Sequence, residues 1–92
     1  MTGLRLPNPA LLSGPDSRVR SFGKAVRARR EQLGISRESL GFRAHTHRTY
    51  VSDVERGARN PTVKVIWKLA DALGTRPSAL FASAEDMENR GS

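Results

Sequence analysis

The chain has 92 residues, a formal net charge of +7 and no cysteine. A chain this short makes one small domain and buries too little surface for a roomy enzyme cleft beside a separate cofactor fold; without thiols it has neither disulfides nor thiolate metal sites, which fits a cytoplasmic setting. Between Ser17 and Phe81, fourteen Lys and Arg face five acids, and thirteen of the sixteen basic residues in the whole chain are Arg. Polyanions therefore lead the candidate partners, nucleic acid ahead of an acidic membrane surface, because the planar guanidinium fork matches phosphate and guanine.

Residues 1–16, with Pro7, Pro9, Gly14 and Pro15, read as a flexible arm in which Arg5 is either solvated or visits a DNA groove. The same prolines break the one apolar stretch near the start, so neither a signal peptide nor a membrane span is expected. Residues 17–82 read as the folded domain. Its first helix should begin after Asp16 or Ser17 and stop at Leu33 before Gly34, with Phe22, Val26 and Leu33 inward. Arg29 lies on that stripe and must snorkel or find an acid. Ile35 packs back, and Ser36 caps a second helix from about Arg37 to Ala44, with Leu40 and Ala44 inward and Gly41 permitting close approach by another element.

The third helix begins near His47 and ends at Arg56 and Gly57. Val51 and Val54 share its inner face, while Thr49, Ser52, Asp53 and Arg56 share the outer one. After the turn "GARNP", Thr62 caps a fourth helix over Val63 to Leu73, with Val63, Ile66, Leu69, Ala70 and Leu73 inward, and Gly74 ends it. Pro77 then opens a short fifth helix carrying Leu80 and Phe81. From Ala82 the chain is polar, and residues 83–92 read as a frayed tail. Five helices and no strand pattern make an all-α domain.

Only "HTH", residues 45–47, separates the second and third helices, which is helix-turn-helix geometry. On "RREQLGISRESL", "HRTYVSDVERGARNPTV", "KLADALG" and "SALF", the stretch from Phe22 to Phe81 resembles the Cro/repressor-like helix-turn-helix regulators of the XRE family. Within it, "HRTYVSDVERGARN" resembles the small controller proteins of restriction-modification systems.

That resemblance implies a five-helix lambda-repressor-like DNA-binding domain whose third helix enters the major groove. Base contacts then fall to Arg48, Thr49, Tyr50, Ser52 and Asp53. Arg48 suits O6 and N7 of guanine, and Asp53 either accepts from a cytosine amine or pairs with Arg56. Arg37, Arg59, Asn60 and Lys64 are placed to hold phosphates. Glu55 lies near the inner stripe, and the family pairs it with an arginine of the first helix, here Arg30, with Arg29 as a rival. Two positions depart from the family pattern. His45 stands where a glycine usually takes the left-handed turn, and His47 replaces the usual Ser or Asp cap, so capping is expected from Thr46 or a bound phosphate.

One such helix touches too few bases for useful specificity. A homodimer on a palindromic operator is therefore expected, with Val65, Trp67 and Phe81 as interface candidates, although Trp67 can equally cover its own core. No nucleophile and base pair, phosphate loop or metal spacing is present, so no enzyme activity, cofactor, metal or small-molecule ligand is expected. The resulting expectation is a sequence-specific transcriptional regulator of double-stranded DNA. An antitoxin-like autorepressor or a protein-protein interaction module on the same fold are the rivals.

Overall fold

The computed structural model describes residues 17–91; the arm expected over residues 1–16, Arg5 included, lies outside them. Five helices follow in order: α1 (Ser17–Leu33), α2 (Arg37–Arg43), α3 (Arg48–Glu55), α4 (Val63–Ala72) and α5 (Pro77–Gly91). No strand occurs among the described residues, and no helix there is long and apolar enough to cross a membrane.

The first four helices stop by one device. The residue after the last turn takes a positive φ, and its N–H and the next one reach back to carbonyls of that turn. At α1 these are Gly34 N–H to Glu31 (3.0 Å) and Ile35 N–H to Arg30 (3.2 Å). At α2 they are His45 N–H to Phe42 (3.2 Å) and Thr46 N–H to Gly41 (2.8 Å). Gly57 with Ala58, and Gly74 with Thr75, close α3 and α4 in the same way. Three of these stops use glycine; His45, at φ 56°, is the side chain that tolerates the left-handed position expected of it.

The core is built from Phe22, Ala25 and Val26 of α1, Leu40 of α2 with Ala44 at its end, Val51 and Val54 of α3, Leu69, Ala70 and Leu73 around α4, and Leu80 and Ala84 of α5. Burying a Leu or Val side chain contributes roughly 1.5–3 kcal/mol, so these residues dominate the stability of the fold. Two expected core residues are not in it. Leu33 is 39% exposed because the inward place on the last turn of α1 is taken by Arg30, and Ile35 covers the core after the turn. Val63, the first residue of α4, is 70% exposed. Arg29 neither snorkels nor finds an acid. It donates to the Leu73 and Gly74 carbonyls (3.0 and 3.4 Å), satisfying the negative end of α4.

The largest departure is α5. The segment expected to fray from Ala82 continues as helix to Gly91, running antiparallel along α1. Phe81 stacks on Phe22 with ring centroids 5.1 Å apart, Ala84 is buried, and Glu88 accepts hydrogen bonds from Ser17 Oγ (2.7 Å) and Ser21 Oγ (2.6 Å). A lone small apolar residue and a serine-bound glutamate leave almost no amphipathic signal, so the pattern reads as tail.

Close approach fixes how α3 sits. A Cβ at Gly23 of α1 would collide with the Val54 carbonyl oxygen at the end of α3, and one at Gly41 would lie 2.7 Å from the Thr46 oxygen in the turn. The contact expected at Gly41 is therefore with backbone of the turn and the head of α3. Across these approaches runs the buried ion pair. Arg30 Nε and Nη2 meet Glu55 Oε2 and Oε1 at 2.7 and 3.1 Å, and Arg30 Nη1 donates to the Ile35 carbonyl at 3.0 Å. The hydrogen bond to Glu55 outweighs burial and pushes the pKa of Arg30 above the ordinary arginine value.

Removing one partner of a buried pair strands the other charge. Glu55→Ala is expected to destabilise the domain by about 3–5 kcal/mol in urea unfolding; a loss well under 1 kcal/mol would mean that the pair does not hold α3. For Glu88, the bonds from Ser21 and Ser17 hold its carboxyl below the usual carboxylate range. Its stabilising contribution is thus complete above the unfolded-state pKa and is lost as pH falls through the lower folded value. Glu88→Gln should accordingly lower the unfolding midpoint at neutral pH, with the gap to the native chain closing as the pH falls below the ordinary carboxylate range.

Candidate nucleic-acid interface

The surface around α2 and α3 follows from their caps and inner faces. Ser36 Oγ accepts from Ser39 N–H (3.0 Å) to start α2. At α3 the cap is His47 itself, whose Nδ1 accepts from Thr49 N–H (3.0 Å). This replaces the expected cap from Thr46 or phosphate: an imidazole nitrogen reaches the same orphan donor as a serine oxygen, provided that it carries no proton. With Val51, Val54 and Glu55 facing inward, Arg48 and Thr49 project into solvent at the head of α3. Ser52 and Asp53 are half-buried farther along. Tyr50 is also half-buried, packed against the core at the helix flank.

Charge is organised more tightly than side-chain counting conveys. Asp53 Oδ1 accepts from Arg56 Nη2 at 2.5 Å and Oδ2 lies 3.5 Å from Arg59 Nη2. The Arg59 guanidinium also sits over the Tyr50 ring, 4.7 Å from its centroid, so an aromatic face and an acid hold this arginine together. Of the two readings open for Asp53, the ion pair with Arg56 is the one present, widened to a second arginine. Arg37, expected at phosphate, has Nε on Glu55 Oε1 at 2.9 Å, so Glu55 receives two arginines. Arg37 nonetheless keeps much of its side chain in solvent, beside the head of the motif. Asn60 and Lys64 are exposed as expected.

Arg30, Arg37 and Glu55 are thus brought together, as are Tyr50, Asp53, Arg56 and Arg59. The sequence reading missed the Arg37 to Glu55 bond and the Arg59 to Tyr50 contact, since neither follows a helical spacing. It also missed Phe42, 84% exposed at the end of α2; its place off the inner face occupied by Leu40 and Ala44 is the signal that was available. The interface candidates do not behave alike. Trp67 is 57% exposed and shares an α4 face with Val63, Val65 is half-buried against the core, and Phe81 is partly spent on Phe22. Among the described residues no three His, Cys, Asp or Glu side chains gather as metal ligands.

A helix-turn-helix family model matches residues 26–80, from the middle of α1 into α5. The control protein C.BamHI of Bacillus amyloliquefaciens is 45% identical over 61 residues, covering 65% of this chain and 75% of that protein. The control protein C.MunI of Mycoplasma sp is 33% identical over 70 residues, 76% of this chain and 95% of that one. Among solved structures, the restriction-modification controller protein C.AhdI from Aeromonas hydrophila superposes with a TM-score of 0.67 at 42% identity, covering 67% of this chain and 94% of its own. With the helix order, the short turn and the arginine-flanked α3 on one side and these relatives on the other, the chain belongs to the Cro/repressor-like, or XRE, helix-turn-helix family of DNA-binding transcriptional regulators.

Proposed function

We propose that the chain is a sequence-specific regulator that lays α3 in the major groove of a near-palindromic operator and binds it as a homodimer. One observation carries this reading. Arg30, Arg37, Arg56 and Arg59 each have an acid partner, whereas Arg48, exposed at the head of α3, has none among the described residues. A guanidinium in that state can give two hydrogen bonds to guanine, worth about 1–3 kcal/mol of discrimination. Thr49 beside it offers a methyl to thymine or a hydroxyl to a base, with Tyr50 and Ser52 completing the reading face. Arg37, Arg59, Asn60 and Lys64 flank α3 and would fix its register on phosphates.

Two copies joined through the exposed α4 face that carries Trp67, with Val65 and Phe81 as the other interface candidates, would present two reading helices to half-sites about 34 Å apart. The likeness to C.AhdI, a restriction-modification controller protein, supports the narrower role of a restriction-modification controller. An antitoxin-like autorepressor would use the same DNA chemistry. A protein-binding module fits poorly with a reading face led by an unpaired arginine.

Selection of bound duplexes from a random pool is expected to yield a symmetric sequence. Arg48→Ala should weaken binding to it by about 1–3 kcal/mol and relax one base preference, while Lys64→Ala weakens all duplexes alike and flattens the salt dependence by about one unit. Identical behaviour of the two variants would undo this division of labour, and affinity that held up in high salt would favour the protein-binding reading. Light scattering should give the mass of two chains, reduced to one by Trp67→Ala; a native chain already at one would remove the dimer.

A further inference from the structure

We infer that Asp53 is an internal substitute for DNA phosphate: it holds Arg56 and Arg59 and so limits the sequence-independent part of duplex binding. This rests on α3 meeting DNA as proposed above.

Asp53 lies one turn beyond Thr49 on the outer face of α3, between Arg48 and Thr49 and the loop that carries Arg59 and Asn60 ahead of Lys64 in α4. An acid on a face directed at a polyanion is repulsive unless it is neutralised. Here both carboxylate oxygens are engaged, one by each guanidinium, and the Asp53 side chain is only 20% exposed while its two partners remain mostly in solvent. Tyr50 adds a second hold on Arg59. The arrangement is therefore a cluster of one acid, two arginines and a ring that together position both guanidiniums.

A guanidinium recognises carboxylate and phosphate oxygens with the same donor fork, so Arg56 and Arg59 can serve Asp53 or a phosphate. Surface pairs of this kind are weakly held and can exchange. A duplex that recruits the two arginines must then take them from Asp53 and leave a carboxylate facing its own phosphates. That penalty falls on every sequence, because phosphate contacts carry no base information. Arg48 is outside the cluster and keeps its base contact. Asp53 thus sets how much affinity comes from charge alone.

The test uses the full 92-residue chain and two end-labelled duplexes of about 20 bp, long enough for two half-sites: one with the selected sequence, one scrambled. Affinities are read by fluorescence anisotropy over a range of salt. Asp53→Asn is expected to tighten binding to the scrambled duplex about three- to tenfold at low salt and to steepen its salt dependence by about one unit, leaving the preferred base sequence unchanged. In an Arg56→Gln, Arg59→Gln background only the direct repulsion between carboxylate and phosphate is left to relieve, so the same substitution should tighten binding clearly less than in the native chain, which separates release of the arginines from simple loss of a negative charge. Asp53→Ser is the second variant, and thermal unfolding verifies that each is folded. An unchanged scrambled-duplex affinity, an effect just as large without the two arginines, or an altered base preference at one position would each overturn the inference while leaving the proposed function standing. A native chain that bound neither duplex would overturn both.

Discussion

Glu55 joins three helices through one carboxylate. From the last turn of α3 it receives the Arg30 fork of α1 on both oxygens and the Arg37 Nε of α2 on one of them. Taking such a group out of water is costly, and it persists because every buried polar side-chain atom among the described residues has a hydrogen-bond partner. The consequence is orientation more than raw stability. A short helix with two buried valines can roll or slide on a greasy surface; a two-pronged ion pair to α1 and a third bond to α2 leave it one azimuth and one depth. Everything offered by the opposite face of α3 inherits its aim from that constraint.

The backbone contacts act in the same direction. Gly23 lets α1 lie directly on the carbonyl end of α3, and Gly41 lets the turn fold tightly against α2. Position is therefore set at both ends of an eight-residue helix, by Gly41 and the His47 cap at the head and by Gly23 and Glu55 at the tail. A helix of this length would not persist alone in water, so its shape is a property of its surroundings.

Much of this was legible in the chain, and the unread portions share a cause. Local signals survived: Ser36 and Thr62 cap where they should, Gly34, Gly57 and Gly74 stop their helices, and the inner residues of α2 and α3 follow helical spacing. The Arg30 to Glu55 pair came from family resemblance. Contacts between residues far apart in sequence, on separate elements, were not readable. Arg37 reaches Glu55 across eighteen positions, and Ser17 reaches Glu88 across seventy-one. No periodicity encodes either, and α5 was underestimated because beyond Phe81 its inner face is one alanine and a hydrogen-bonded glutamate. At helix ends the inward pattern outran the packing, so that Leu33 and Val63 face solvent although their spacing points to the core.

The outward head of α3 owes nothing to the scaffold. Arg48 and Thr49 supply no buried contact, no side-chain cap and no ion pair among the described residues, whereas every side chain that aims the helix lies on other positions. Replacing those two residues would alter the chemistry of the surface without disturbing the platform beneath it. Under the proposed reading of DNA by α3, target preference and foldability are thus separable: related chains could diverge in the sites they choose while remaining equally well built, and a designer could swap this pair as a cassette.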